Sequence, residues 1–352
     1  MGQFYRSVIQ PLLFRLEAER SHGLAVSCLA ALSRVSALCR IMERYNLPEA
    51  EKKVEAFGLE FPNVVGLAAG MDKDARFWRA AGALGFGHIE VGSVTLCKQE
   101  GNPPPRLFRY PEAKSIINRM GFNNDGAEAI VRRLQPKDRV GSRKIPVGIN
   151  IGKSKVASIE DAVEDYIGAF NILSPLADFV TINVSSPNTP ELRKLQGQEY
   201  LEGLLRAIRD SARARSANTG QRPIPLLVKI APDLSRGELE CILETILRLE
   251  LDGIVATNTT VKRVDGMERY TEIGGLSGFP LHKRSIALIK DISRLTSGKL
   301  TIIGVGGIFD TDTAAATLDA GATLIQLYTG LIYGGPFLAR EIVTGLRAKK
   351  DS

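Results

Sequence analysis

From residue 63 to residue 328 the chain alternates between short apolar runs and longer amphipathic stretches. The apolar runs are Asn63–Gly70, Gly87–Ser93, Ile145–Asn150, Phe179–Val184, Ile224–Ile230, Gly253–Asn258, Leu300–Gly306 and Ala322–Tyr328. Each is nearly continuous in apolar residues, the pattern of a strand buried on both faces. The stretches Glu160–Leu173, Gly237–Leu249 and Ser285–Leu295 carry apolar residues at helical spacing and predict helices. Strands alternating with helices imply a parallel sheet, and eight units over about 280 residues predict a closed (β/α)8 TIM barrel. An open doubly wound sheet is the alternative, although eight units would be many for it. The connection from Ser93 to Ile145 is long and contains Gln99–Pro105 and Asn118–Asn124. Insertions of that length in a barrel belong over the face that carries the chemistry.

Residues 1–46 follow a different pattern and predict a small extension of two amphipathic helices, with the barrel occupying 47–352. Phe4, Tyr5, Val8, Ile9, Leu12, Leu13 and Leu16 share a face of the first, which Pro11 either bends or starts late. Ser21 is a candidate cap for the second, where Leu24, Cys28, Leu29, Leu32, Val35, Leu38 and Met42 line one side. Asn46, Pro48 and the charged residues from Glu49 to Lys53 end the pattern. The extension is too short for a core of its own. Its apolar faces either pack on the barrel or serve as an interfacial anchor or docking site for an apolar ligand.

Composition narrows the classes. Of 352 residues, 44% are hydrophobic and 24% charged, an ordinary globular balance. The four cysteines, Cys28, Cys39, Cys97 and Cys241, form no CxxC pair, and with three histidines and no HExxH a metal site is not expected. The net charge of +7 points to nucleic acid or to anionic ligands and surfaces. The basic residues are dispersed and no nucleic-acid motif is present, which favours anionic ligands and anionic lipid. No apolar run reaches the ~18 residues of a spanning helix, and charges from Arg6 to Arg20 interrupt any signal-peptide core.

The carboxyl ends of barrel strands converge on one site, so their residue types carry the most information. The first run ends in Ala68-Ala-Gly-Met-Asp-Lys73, the second at Ser93, the third at Asn150, the fourth at Asn183 and the fifth at Lys229. The sixth ends in Thr257-Asn-Thr259, the seventh in Gly304–Gly307 and the eighth in Tyr328-Thr-Gly330. Core packing would place branched aliphatics at these ends. The glycine cluster and Tyr328–Gly330 fall where barrels cradle phosphate, and the Gly275–Gly278 loop could add donors. Lys229, behind Leu226-Leu-Val228, is either a surface lysine or a buried cation that offsets charge on a reduced cofactor ring. The strand-4 loop, Val184-Ser-Ser-Pro-Asn-Thr-Pro190, is a proline-locked turn or a catalytic loop.

The motifs Ala68–Lys73, Asn118-Arg-Met-Gly-Phe122, Asn183–Thr189, Val228-Lys-Ile-Ala-Pro-Asp233, Gly274–Gly278 and Ile303–Ile308 resemble the dihydroorotate dehydrogenase family, nearly end to end. The resemblance implies an FMN-holding barrel that oxidises dihydroorotate to orotate in pyrimidine synthesis. Ser186, where class 1 members carry cysteine, and the N-terminal helices with Glu19-Arg-Ser-His22-Gly-Leu-Ala25 resemble class 2, the quinone-reducing form. By that resemblance Ser186 is the catalytic base, and a water relay drains its proton. Lys73, Asn118, Arg119, Met120, Gly121, Phe122, Asn183, Asn188, Asn258 and Thr259 bind substrate. Ala69, Gly70, Met71, Asp72, Lys73, Ser93, Asn150, Asn183, Lys229, Thr257, Gly278, Gly307, Tyr328 and Thr329 contact FMN. His22 and Arg109, with Tyr328, match positions along the quinone path, although His22 could equally be a capping or packing histidine. The same resemblance implies a monomer on the cytoplasmic side of a bacterial inner membrane, with no nucleic-acid partner. Three competing readings are a class 1 or dihydropyrimidine-reducing relative, which Ser186 and the presence of residues 1–46 count against, a phosphate-binding barrel isomerase without flavin, and a non-catalytic membrane-binding module.

Overall fold

The computed structural model describes residues 2–47, 53–134, 143–189, 192–263 and 266–351. The expected break from Pro48 to Lys52, and Pro190 after the strand-4 loop, lie outside the described residues. All eight apolar runs become barrel strands: β1 (Val65–Leu67), β2 (His88–Val94), β3 (Val147–Ile151), β4 (Phe179–Asn183), β5 (Leu226–Ile230), β6 (Gly253–Ala256), β7 (Thr301–Val305) and β8 (Leu324–Leu327). They pair in parallel in chain order, and β8 closes on β1. The protein is therefore a (β/α)8 barrel.

Alternation along each strand decides what the barrel holds. On β4, Val180 and Ile182 pack outward under the helices, while Phe179 joins the interior cluster. At the amino end that interior is apolar: Phe179, Leu227, Val255, Ile303 and Leu324 fill it. An antiparallel ribbon, Val54–Ala56 with Leu59–Phe61, closes this end. Its Phe57 ring lies 5.5 Å from Phe179 and its Phe61 ring 5.4 Å from His88. His88 is fully buried, and among the described residues neither ring nitrogen has a hydrogen-bond partner. Burial pulls its pKa to about 3, so it is neutral. Toward the carboxyl end the inward positions turn polar, with Glu90, Asn150, Asn183, Lys229 and Gln326.

The extension holds three helical runs, not two. The first passes through α-helical Gly2–Phe4, π-helical Tyr5–Ile9 and α-helical Gln10–Phe14. Pro11 sits at the start of Gln10–Phe14, where its missing N–H falls at the join to the wider turn. The expected second helix is divided into α1 (Ala18–Arg34) and α2 (Ser36–Asn46), bent by 101° at non-helical Val35. The cap of α1 is Glu17, whose carboxylate accepts from the Glu19 and Arg20 N–H groups, rather than Ser21. Ser21 instead donates to the Leu13 and Glu17 carbonyls at 2.7 and 3.1 Å, tying α1 to the first run. No single described helix is long and apolar enough to cross a membrane; the bent α1–α2 pair passes by length and composition only. Phe4, Leu12, Leu24, Val35, Leu38, Ile41 and Tyr45 stay between 44% and 65% exposed, an apolar face that the barrel does not cover.

Part of the long insertion, among the described residues, forms a small sheet beside the barrel mouth. Leu107–Tyr110 and Ser115–Asn118 pair with Gly275–Gly278 in a three-stranded antiparallel sheet. Gly275–Gly278, expected as a loop, is thus a strand, with Gly275 opposite Asn118. A Cβ on Gly275 would meet Thr259 Oγ1 at 1.9 Å, so only glycine lets this strand lie against the strand-6 loop.

Candidate active site

One cavity at the carboxyl end gathers most of the residues singled out from sequence. Lys73, Asn118, Met120, Gly121, Phe122, Asn183, Ser186, Asn188, Asn258 and Thr259 line it, together with Ala69, Gly70, Ser93, Lys229, Thr257, Gly278, Gly307, Tyr328 and Thr329. Four of the expected residues do not line it. Asn150 stands one layer behind. Met71 faces a different cavity. Asp72 is buried, and its carboxylate accepts from the Arg76 and Phe77 N–H groups at 2.7 and 2.8 Å, a structural role. The Arg119 side chain turns away and donates to the Pro105 carbonyl at 3.1 and 2.8 Å.

The layer behind the cavity is built around Glu90, which the sequence reading missed. Glu90 is fully buried. It accepts from Asn150 Nδ2 at 2.6 Å and from Gln326 Nε2 at 2.9 Å, and Lys229 Nζ lies 3.9 Å away. Asn150 Oδ1 in turn accepts from Ser93 Oγ and from Asn183 Nδ2. One carboxylate thus orients groups on β2, β3, β4, β5 and β8. The signal was present as a charged residue inside His88-Ile-Glu-Val91 and an amide inside Leu324-Ile-Gln-Leu327. Their convergence depends on barrel closure. Burial lowers the Lys229 pKa and Glu90 opposes the shift.

The rim is an amide network. Asn258 Nδ2 donates to Ser185 Oγ at 3.0 Å, Ser185 Oγ donates to Asn183 Oδ1 at 2.9 Å, and Asn188 Nδ2 donates to Asn118 Oδ1 at 3.2 Å. Ser186 Oγ accepts from the Asn188 N–H at 3.2 Å and is itself buried. Asn102 braces two loops by donating to the Arg119 and Asn188 carbonyls at 2.9 and 3.1 Å. Lys73 Nζ donates to the Gly70 carbonyl at 2.8 Å, and burial brings its pKa down to about 8. Among the described residues, two buried oxygens of the lining have no hydrogen-bond partner, Gln326 Oε1 and Thr259 Oγ1.

A second cavity, almost wholly apolar, lies between the extension and the barrel. Tyr5, Leu13, Phe14, Leu29, Met71, Ile116 and Ile332 line it, with His22 and Arg109. Arg109 donates to the Phe14 and Leu16 carbonyls at 2.9 and 3.0 Å, and its guanidinium lies 4.0 Å from the Phe14 ring centre. Arg106 clamps Glu19 of α1, with its closest contact at 2.7 Å. Burial, then the Lys73 charge, takes the His22 pKa to about 3, so it is neutral. Tyr328 lines only the first cavity. Gly70 and Gly330 line the first cavity and their neighbours Met71 and Leu331 the second, so the two cavities adjoin at these positions.

A (β/α)8 barrel whose carboxyl end sets two lysines and a ring of amides around one cavity has the architecture of a barrel enzyme with its site at the strand ends. The chain belongs to the dihydroorotate dehydrogenase family, whose model matches residues 52–349. A protein of Acidithiobacillus ferrooxidans named dihydroorotate dehydrogenase (quinone) is 47% identical over 343 residues, 96% of this chain and 93% of the relative. Another of that name, from Chloroflexus aurantiacus, is 48% identical over 349 residues, 96% of this chain and 95% of the relative. Among solved structures, Eimeria tenella DHODH in complex with ferulenol aligns with TM-score 0.80 at 36% identity, covering 90% of this chain and 91% of that one. The ligand-free Eimeria tenella form gives 0.81 at 35%, with 94% of each chain covered.

Proposed function

We propose that this protein oxidises dihydroorotate to orotate, using FMN in the first cavity and a membrane quinone as final acceptor in the second. The observation that carries the reading is the pair of cavities, one lined by lysines and amides and one almost wholly apolar, which are lined by consecutive residues at Gly70–Met71 and Gly330–Leu331. Ligands held on either side of these residues could exchange electrons without either leaving its site.

The lining suits a flavin. Gln326 Oε1 is buried and open to a donor, and Lys229 faces its counter-charge at no closer than 3.9 Å. Gly306 and Gly307, at φ 135° and 67°, hold a backbone turn open to glycine beside Thr329, in the loops where barrels bind phosphate. Bound there, FMN supplies an acceptor for the hydride that leaves substrate C6. Ala69, Gly70, Ser93, Thr257, Gly278, Gly307, Tyr328 and Thr329 would hold it, with Asn150 acting from behind and Lys229 opposing negative charge on the ring.

Ser186 takes the proton from substrate C5. A serine hydroxyl is a weak base, so its proton must pass on through water. Lys73 and the side chains of Asn118, Asn183, Asn188 and Asn258 receive the carboxylate and ring amides. The substrate carboxylate restores to Lys73 the protonation that burial weakens. The exposed apolar face of residues 4–45 and the apolar cavity beneath it support peripheral contact with a bilayer, from which quinone enters past His22 and Arg109. The family resemblance extends this to the cytoplasmic side of an inner membrane and to a monomer. Residues 1–46 then act as the quinone-access extension of a barrel spanning 47–352.

The test is spectroscopic. The purified protein should show flavin bands that bleach with dihydroorotate without air and return with a soluble quinone. Recovery with fumarate or NAD alone would move the acceptor to class 1, and absence of flavin after reconstitution would remove the cofactor.

A further inference from the structure

A third cleft shares no lining residue with either cavity. It opens on the bend between α1 and α2, against α3 (Trp78–Ala83) and the end of α4 (Ala127–Leu134). Arg34 and Arg40 come from the bend, Arg76 and Arg79 from α3 and the loop before it, and Arg132 and Arg133 from α4. Three elements distant in sequence each bring two guanidinium groups to one depression. Arg133 is held by Asp74 and Asp125, and the Arg79 guanidinium lies 4.2 Å from the centre of the Trp78 ring. Two of the six groups are thereby fixed in advance. Among the described residues, Arg34, Arg40, Arg76 and Arg132 have no carboxylate at ion-pair distance. Ser33 Oγ accepts from the Ala80 N–H at 3.0 Å and pins α1 to α3 at the edge of the cleft, so its width is set by the fold. Cations gathered this way repel one another, and a bound anion relieves that repulsion while engaging the planar donors two at a time.

We propose that this cleft binds a phosphate ester, supplied as the headgroup of an anionic lipid or as a free phosphorylated metabolite. Val35, Leu38 and Ile41, 50%, 44% and 65% exposed on the same bend, would lie beside the acyl chains in the lipid case. Only that case rests on the membrane reading above. A bound phosphate also ties the bend to the loop that starts at Lys73, since Arg76 belongs to both the cleft and that loop.

The holoenzyme is tested with glycerol 3-phosphate, read by thermal midpoint against sodium chloride of equal ionic strength. It is also sedimented with vesicles of phosphatidylcholine alone or containing phosphatidylglycerol. R34Q/R76Q/R132Q is compared with R236Q/R248Q/R294Q, which removes equal charge from exposed positions on barrel helices. The cleft variant should lose the saturable response by roughly tenfold or more while the control keeps it. Turnover with a soluble quinone should be unchanged in both. Saturation by glycerol 3-phosphate identifies a free phosphate ligand; saturation only with phosphatidylglycerol identifies a headgroup. Equal losses in the two variants, or no saturable response to any probe, overturn the proposal. If glycerol 3-phosphate binds in the cleft while no vesicle binds at all, the membrane reading fails and this site stands.

Discussion

Replacing Glu90 with Gln isolates the charge at the centre of the buried network. The substitution keeps the shape and one carbonyl. Its new NH2 faces a donor, yet Gln326 can answer by rotating its amide, because Gln326 Oε1 has no partner to lose. The hydrogen-bond cost is then modest, about 1 kcal/mol. The charge cost is larger, because Lys229 becomes a buried cation with no counter-ion. Breaking a buried pair costs about 3–5 kcal/mol. Lys229 limits the loss by releasing its proton, which at pH 7 costs about 4–5 kcal/mol from an unfolded pKa near 10.4, and at pH 9 only about 2 kcal/mol. The sign follows. The variant's folded Lys229 pKa falls further below the unfolded value, so between the two the unfolded chain binds more protons and stability rises with pH. Glu90→Gln should therefore unfold several kcal/mol more easily at pH 7 and recover much of the difference by pH 9. Urea unfolding followed by circular dichroism, at one fixed FMN concentration, measures both. A variant within about 0.5 kcal/mol of wild type at pH 7, or a deficit unchanged at pH 9, would show that Lys229 does not depend on Glu90.

Other outcomes can be checked in the same preparations. Ser186→Ala should keep its flavin spectrum and lose roughly 10²–10⁴-fold in kcat, and wild-type turnover would end the base assignment. His88, neutral with a pKa near 3, contributes stability that is complete above the unfolded pKa and declines as pH falls below it. His88→Phe should therefore reduce the stability lost between pH 7 and pH 5 by about 2 kcal/mol, and an unchanged pH dependence would contradict its burial as a neutral ring. Leu38→Gln with Ile41→Gln removes apolar surface that is already exposed, so unfolding should change little. Binding to neutral vesicles should weaken roughly tenfold or more, and full binding would place the lipid contact elsewhere.

The eight strands and the residues at their carboxyl ends were legible in the chain itself. A strand buried on both faces must be apolar throughout, and a polar residue at its end stands out against that background. Lys229, Asn183 and Tyr328 could be singled out for that reason. Glu90 and Gln326 were visible only as interruptions, because a strand's sequence does not say which of its two faces points into a barrel. The bend at Val35 and the strand at Gly275–Gly278 were misread because each answers to a partner distant in sequence: α3 for the first, Ser115–Asn118 for the second. The adjoining of two cavities at Gly70–Met71 and the meeting of six arginines from three elements likewise exist only after closure. Local periodicity determined the elements and their chemistry; long-range pairing decided which of those groups share a carboxylate, a cavity or a cleft.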